Sequence, residues 1–465
     1  MKENEKKMEL LGNAPVPRAL LALGLPTMVG MMINALYNLV DAYFVGGLGT
    51  SQMGAITVAF PLGQVVVGLG LLFGNGAASC LSRLLGQGDR ENANRVASTA
   101  LYSSIFVGAL VIFCCVIWLE PILGRLGASD SVMPYALSYT GIYIVCSIFN
   151  VFNVTMNNIV SSEGAAKTTM CVLLAGAVLN LVLDPIFIYG LDLGVAGAAI
   201  ATGISQCFSA LVYLAYILGK RSVFRFSIRD FRLSGNIMSE ILKIGIPTMA
   251  FQLLTSLSMS MINDRAREYG DYALAAMGAV TKIMSVGSLM VFGFLKGLQP
   301  IAGYSYGSKK YDRLGEAVKI SIIWSTVFCA VFGLAAAVFS GPMISKFTKG
   351  DLDMIRVGRV ALRINGLSFV LFGFYTVYSF LFLAMGKAKE GCFLDACRQG
   401  ICFVPVILIL PGIWGLNGIL YAQPVADVAA ALIAVGMAAY LRWKLAEEQK
   451  RGARERCEGG DGRGV

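Results

Sequence analysis

The residues able to do chemistry in this chain lie inside long apolar stretches. Asn34, Asn38 and Asp41 fall at i, i+4 and i+7, on one face of a helix. Asn180 and Asp184, at i, i+4, share a face of another helix, and Pro185 follows directly. A proline there lacks the amide hydrogen and frees a carbonyl about one turn earlier. Thr202, Ser205, Gln206 and Ser209 make a weaker stripe that could face the same cavity. Two carboxylates, an amide and a loose carbonyl are hard oxygen ligands. Such a set can bind Na⁺ or hold a proton on a buried carboxylate. Asp41 also reads as a helix-end residue, since Gly46-Gly47 follows. Asp184 likewise reads as one near a turn, since Asp192 and Gly194 follow. The neighbouring Asn180 and Pro185 favour the ligand reading of Asp184.

A later part of the chain carries different chemistry. Gln423 and Asp427 stand at i, i+4, and Arg398-Gln399 lies in the preceding apolar stretch. Asp427 and Arg398 could pair, either as a structural ion pair or with a transport role. Gly303-Tyr304-Ser305-Tyr306-Gly307 fits G-x-S-x-G, but follows an apolar helix where the nucleophile elbow needs a strand. The chain has no histidine, which excludes a Ser-His-Asp triad and HExxH zinc chemistry. No G-x-x-x-x-G-K-[ST] sequence is present, so ATP is not the expected energy source. An enzyme is not expected.

The elements that must position these residues are membrane-spanning helices. The chain has 465 residues, 56% hydrophobic and 14% charged, against about 25% charged in soluble domains. The reading is an all-α polytopic membrane protein of twelve spans, at 18–45, 53–82, 96–119, 133–159, 168–190, 194–218, 239–263, 273–301, 315–340, 357–384, 391–411 and 415–441. The charged start, Met1 to Gly12, does not resemble a cleavable signal peptide. Of 38 Lys and Arg, about 28 fall in the N-terminus, the even-numbered loops and the C-terminus, the positive-inside pattern with both termini cytoplasmic. Lys282 and Lys296 fall inside a span. The +10 charge is therefore read as topology, and no nucleic-acid partner is expected. The cysteines, mostly within spans and without a CxxC pair, read as apolar filler.

The sequence repeats itself. Gly24-Leu25-Pro26-Thr27-Met28 answers Gly245-Ile246-Pro247-Thr248-Met249, and Met53-Gly54-Ala55-Ile56-Thr57 answers Met277-Gly278-Ala279-Val280-Thr281. Gly164 to Lys167 and Leu193 to Gly197 have counterparts at Gly386 to Lys389 and Trp414 to Gly418. Two six-helix bundles follow, 1–218 and 239–443, related by a pseudo-two-fold axis along the membrane normal. Residues 219–238 read as a basic cytoplasmic linker and 444–465 as a disordered cytoplasmic tail. Gly70-xxx-Gly74 and Gly293-xxx-Gly297 read as close helix packing.

These features together resemble the multidrug and toxic compound extrusion (MATE) transporters, over nearly the whole chain. The residues carrying the resemblance are the Gly-Leu-Pro opening, Asp41 within Leu39 to Gly46, and Asn180-xxx-Asp184-Pro185. Arg398-Gln399-Gly400 and Tyr421-Ala422-Gln423-Pro424 are most similar to its bacterial MepA-type branch. The resemblance implies Na⁺- or H⁺-coupled antiport of cationic, lipophilic drugs, with no cofactor beyond the coupling ion. It implies a cation site of Asp41, Asn180, Asp184 and Thr202. Some members also use a glutamate in span seven and an aspartate in span ten. Here those stretches hold Gln252 and Asn365-Gly366-Leu367-Ser368, a departure that favours the first half as the place of the cation site and leaves one in the second half open. Asn34, Asn38, Gln206, Gln252, Arg398 and Asp427 are expected to line the substrate path; methionines and aromatics could furnish an adaptable wall, though both are also ordinary membrane residues. A monomer in a bacterial inner membrane, in contact with lipid, is expected. Two other readings remain: a flippase for an amphipathic substrate, with Lys282, Lys296 and Arg398 as its cations, and a membrane receptor or scaffold without flux.

Overall fold

A computed structural model of the chain describes residues 2–48, 50–126, 128–346 and 351–460, and no strand forms among them. Among the described residues, twelve helices are long and apolar enough to cross a membrane. In order they are Val16–Gly46, Thr50–Gln87, Arg90–Ile117, Met133–Ser162, Ala166–Gly190 and Gly194–Leu218, then Gly235–Arg267, Asp271–Gly307, Tyr311–Val338, Leu352–Ala384, Ala388–Trp414 and Leu416–Gly460. They correspond one to one with the twelve stretches read from hydropathy. Most run several residues past them, because polar end residues still continue a helix. Asp89 shows how one starts: its carboxylate accepts from the Asn92 amide, which would otherwise be an orphan donor.

The two halves pair their helices identically. In the first, span two packs on three and four, four on three and six, and five on one and six; the second repeats each pairing six spans later. Between halves, span one packs on span eight, span seven on span two, and two on eight. That set maps onto itself when the halves are exchanged, which is the signature of a pseudo-two-fold axis.

The repeated glycines explain how closely these crossings approach. A Cβ on Gly297 would overlap the backbone of Gly24, and a Cβ on Gly245 would overlap the Leu72 carbonyl. The opening glycine of each half thus admits the second span of the other half at backbone distance. Gly70 likewise makes room for the Val154 side chain, and Gly74 for the Thr155 backbone. Gly303 and Gly307 belong to helix eight and pack against Ser82 and the Arg83 backbone, so the G-x-S-x-G match is a packing stripe.

On the axis the amides of Asn75 and Gln299 bond at 2.9 Å, each 22 residues beyond the matched Met53 and Met277. Asn75 also donates to Thr248 at 2.9 Å. Contacts between halves continue toward the end carrying the N-terminus: Ser79 donates to the Leu383 carbonyl, and Arg83 reaches Met385 O at 3.2 Å and Glu240 at 3.1 Å.

At that same end, the initial helix Lys2–Gly12 is bolted to the first half. The Lys7 ammonium lies 3.1 Å from the fully buried Glu163 and 2.7 Å from the Arg221 carbonyl. Tyr216, Ser222 and the Val223 amide also donate to Glu163. The linker 219–238 lies along the third span, through Ser98, Thr99 and Asn94. Phe106, Leu110, Phe113 and Ile117 on that span's other face are exposed, as lipid-facing residues should be.

One expectation needs correction. Helix twelve continues to Gly460, where the charged composition led us to expect a disordered tail from 444. Leu445 to Cys457 is rich in Ala, Glu, Gln, Lys and Arg, strong helix formers, and Gly is confined to one interior position. Residues 461–465 of that tail lie outside the described residues.

Replacing Glu163 by Ala should leave Lys7 buried without a counter-charge. The expected loss is about 3–5 kcal/mol of stability, visible as a lower melting temperature of the detergent-purified protein.

Candidate cation site

The first half brings its polar residues together between spans one, four, five and six. Asn180 and Asp184 lie one turn apart on span five, 1% and 0% exposed. Directly after Pro185 the helix widens into a π-turn, Ile186–Gly190, where the Leu191 amide reaches back to the Ile186 carbonyl at 2.8 Å. π-turns of this kind open the backbone next to functional groups. Because the chain stays helical to Gly190, Asp184 is an interior residue and not a helix end.

Thr202, from span six, meets Asn180 Nδ2 at 3.4 Å and the Tyr37 hydroxyl at 3.5 Å. Asp41 sits one turn beyond Tyr37, five residues before its helix ends, which removes the helix-end reading. Tyr139 and Tyr143 stack at 5.7 Å between ring centres and cover the group from span four. Their positions and that of Tyr37 place all three within the electrostatic reach of Asp41.

The hydrogen-bond ledger of this cluster does not close. Asp41 Oδ1, Asn180 Oδ1 and both oxygens of Asp184 are buried and find no hydrogen-bond donor at normal distance among the described residues. Native interiors leave few such groups, and a buried ionised carboxylate without a partner is costly. A hard cation, or a proton on one carboxylate, would complete the set. Among the described residues no cluster of three or more His, Cys, Asp or Glu side chains occurs. An ion here would therefore rest on two carboxylates plus neutral oxygens from Asn180 and Thr202.

The other expected residues divide. Ser205 and Ser209 donate to carbonyls of their own helix, so Thr202 is what the third stripe contributes. Gln206 is half-buried, and its carbonyl accepts from Asn153 at 2.8 Å. Asn34 is exposed on the same helix as Asp41, and the Asn38 side chain lies outside the described residues. Gln252 donates to Gln64 at 3.0 Å, joining the halves at mid-depth. Tyr37, Tyr139 and Tyr143 were not foreseen. Tyr37 was findable, being four residues before Asp41 on the same stripe; the other two arrive from a distant span and carry no local signal.

In the second half, Arg398 Nε bonds Asp427 at 2.7 Å, and Gln423 and Ser368 bond the same carboxylate at 2.9 and 3.4 Å. The guanidinium lies 4.7 Å from the Phe372 ring centre and 5.7 Å from that of Tyr375. Arg398 sits in a π-turn, Cys397–Ile401, in the span equivalent to span five. Here a tethered cation is already present and the carboxylate's bonds are taken up. That favours the structural reading of the pair.

The geometry defines a two-lobed, multi-pass membrane protein with a buried cluster of carboxylate and amide oxygens in one lobe. The MatE family model matches residues 26–186 and again 246–409, one match per half, and the chain belongs to that family. It is 28% identical to the multidrug export protein MepA of Staphylococcus aureus over 442 residues, 95% of this chain and 97% of that protein. MepA of Staphylococcus saprophyticus matches to the same extent. Among solved structures, MATE in complex with MaL6 superposes with a TM-score of 0.90 at 27% identity, covering 96% of this chain and 99% of that one. The outward-facing conformation of a multidrug resistance MATE transporter of the MOP superfamily gives the same values. A MOP superfamily transporter from Pyrococcus furiosus, described as having a binding pocket of reversed polarity, gives 0.89 at 26%, covering 95% and 98%.

Asp427→Ala should strand Arg398 and lower stability by about 3–5 kcal/mol. The double variant Arg398→Met, Asp427→Leu should recover most of that loss, read by thermal unfolding in detergent.

Proposed function

We propose that the protein exports cationic, lipophilic molecules in exchange for Na⁺ or H⁺ by alternating access. Asp41 and Asp184 are the charged ligands of the coupling ion, and Asn180 and Thr202 the neutral ones. The observation carrying this reading is the set of four buried oxygens with no donor at normal distance among the described residues, in a chain whose relatives are named multidrug export proteins.

The mechanism follows from where the site lies. Spans one, five and six each contribute a ligand, so occupancy favours one packing of these three helices over another. Pro26 in span one and Pro185 in span five each remove a backbone hydrogen bond and mark where the helices can repack. A ligand shifts such an equilibrium only by its differential affinity for the two packings. If the drug binds best in the packing that the ion disfavours, ion entry releases drug, and the converse holds by linkage.

Both termini and the linker are assigned to the cytoplasm from the distribution of Lys and Arg. The lobes then meet at the cytoplasmic end, through Ser79, Arg83 and Glu240. That conformation is the one from which drug leaves to the outside, in keeping with the similarity to an outward-facing relative.

A flippase would need several unpaired cations around a central path. Arg398 is spent on Asp427, and Lys282 is exposed near the far end of its span, which leaves Lys296. The drug exporter is the better-supported reading.

Asp41→Asn and Asp184→Asn should each abolish gradient-driven efflux of a fluorescent cation from proteoliposomes, with expression unchanged. Full transport by both would remove the site. Imposing a Na⁺ gradient and a pH gradient separately on the wild type should identify the ion, and flux under neither would contradict coupled export.

A further inference from the structure

The helix Lys2–Gly12 lies across the seam between the lobes, at the end where they meet. Midway along it, Lys7 is held by the first lobe through Glu163, the Tyr216 hydroxyl and the Arg221 carbonyl. Leu11, fully buried, rests against Gly164 of the same lobe. The last turn is held by the second lobe. A Cβ on Gly12 would meet the Tyr304 ring of span eight at 3.0 Å. Arg313 donates to the Leu10 and Leu11 carbonyls at 3.3 and 3.2 Å, and to the Ala14 carbonyl. Lys310 donates to the Gly12 carbonyl at 3.0 Å and to Asn13 Oδ1 at 3.1 Å. Both cations stand where span nine begins.

This helix takes its C-terminal cap from the other lobe. The last carbonyls of a helix have no partner within it. The next two amides, of Asn13 and Ala14, both return to the Glu9 carbonyl, and Pro15 has none to give. The remaining carbonyls are taken by cations 297 to 303 residues away. Positive charge also suits the negative end of the helix dipole. The two anchors differ in strength. Lys7 and Glu163 are 7% and 0% exposed, and parting a buried ion pair is costly. Lys310 is exposed and Arg313 half-buried, so water can replace their carbonyl partners at small net cost. When the lobes part at this end, the second-lobe anchor is the one that yields.

On the reading of the protein as an alternating-access exporter, we propose that the helix Lys2–Gly12 is a strap between the lobes. It stays fixed to the first lobe through Lys7 and Glu163. It is clipped to the second lobe through Lys310 and Arg313 only while the lobes are closed at the linker end. The clip adds to the direct contacts of Ser79 and Arg83 and biases the resting protein toward that closure. Unclipping is then part of the change that admits substrate from the linker side. A ligand that favours parting must outweigh the clip through its own differential affinity.

The test is the separation of the lobes at this end, read by pulsed electron paramagnetic resonance. Spin labels go on Arg90→Cys and Lys389→Cys, exposed positions on opposite lobes, in an otherwise cysteine-free protein in nanodiscs. Lys310→Gln with Arg313→Gln should raise the ratio of long to short separations about tenfold. Lys310→Arg should leave it near the wild-type value. Arg313→Gln alone should give a smaller shift in the same direction, and serves should the double variant not fold. Asn13→Cys with Lys310→Cys, joined by a short bifunctional maleimide, should hold the short separation and stop ethidium efflux from proteoliposomes. Either cysteine alone, capped with N-ethylmaleimide, should still transport. Unchanged separations in the glutamine variants, or full efflux by the bridged protein, overturn the strap, whatever the wild type exports. Shifted separations with no export by the wild type support the strap and remove the exporter reading.

Discussion

A carboxylate held in an apolar interior without a donor sets the terms for the rest of this molecule. Asp184 is fully buried, and among the described residues neither of its oxygens has a donor at normal distance. Desolvating one such charge costs several kcal/mol, a large fraction of the stability of a folded protein. In the proposed function, a cation or a proton at the site lowers that cost. Because the ligands arrive from three helices, relieving that cost acts on how those helices pack. The proposed coupling needs no further device: one unsatisfied charge and a helix bundle with two arrangements are sufficient.

The scaffold around it is symmetric and its chemistry is not. Gly24 and Gly245 set the same close crossings, and Asn75 meets Gln299 on the axis. Away from the axis the halves diverge. Where the first lobe leaves carboxylate oxygens open, the second closes Asp427 with Arg398, Gln423 and Ser368, under two aromatic faces. Each lobe also breaks its fifth helix with a π-turn, beside Asp184 in one and at Arg398 in the other. The two π-turns are not at equivalent positions, since the repeat puts Cys397–Ile401 about ten residues before the counterpart of Ile186–Gly190.

Much of this was legible before any coordinates. Hydropathy located the twelve helices, and the Gly-x-Pro-Thr-Met phrase found the two halves. The i, i+4 spacing of Asn180 and Asp184 placed both on one helix face, where both are buried, because helical periodicity is local and the sequence displays it. The pairing of Arg398 with Asp427 was a possibility that the structure realised. What was not legible depends on contacts between distant segments. Tyr139 reaches the site from span four, Lys7 finds Glu163 across 156 residues, and Lys296 enters the opposite lobe. Composition misled in the tail, where charge and terminal glycines outweighed the strong helix formers at 445–457.

The asymmetry of the two lobes is the central claim, and cation stoichiometry tests it most directly. Radioactive Na⁺ binding and proton uptake would be measured together on purified protein. The expected result is one cation per chain, lost when both Asp41 and Asp184 are neutralised and kept in the Arg398→Met, Asp427→Leu double variant. Two cations per chain, or one that survives loss of both first-lobe carboxylates, would contradict it.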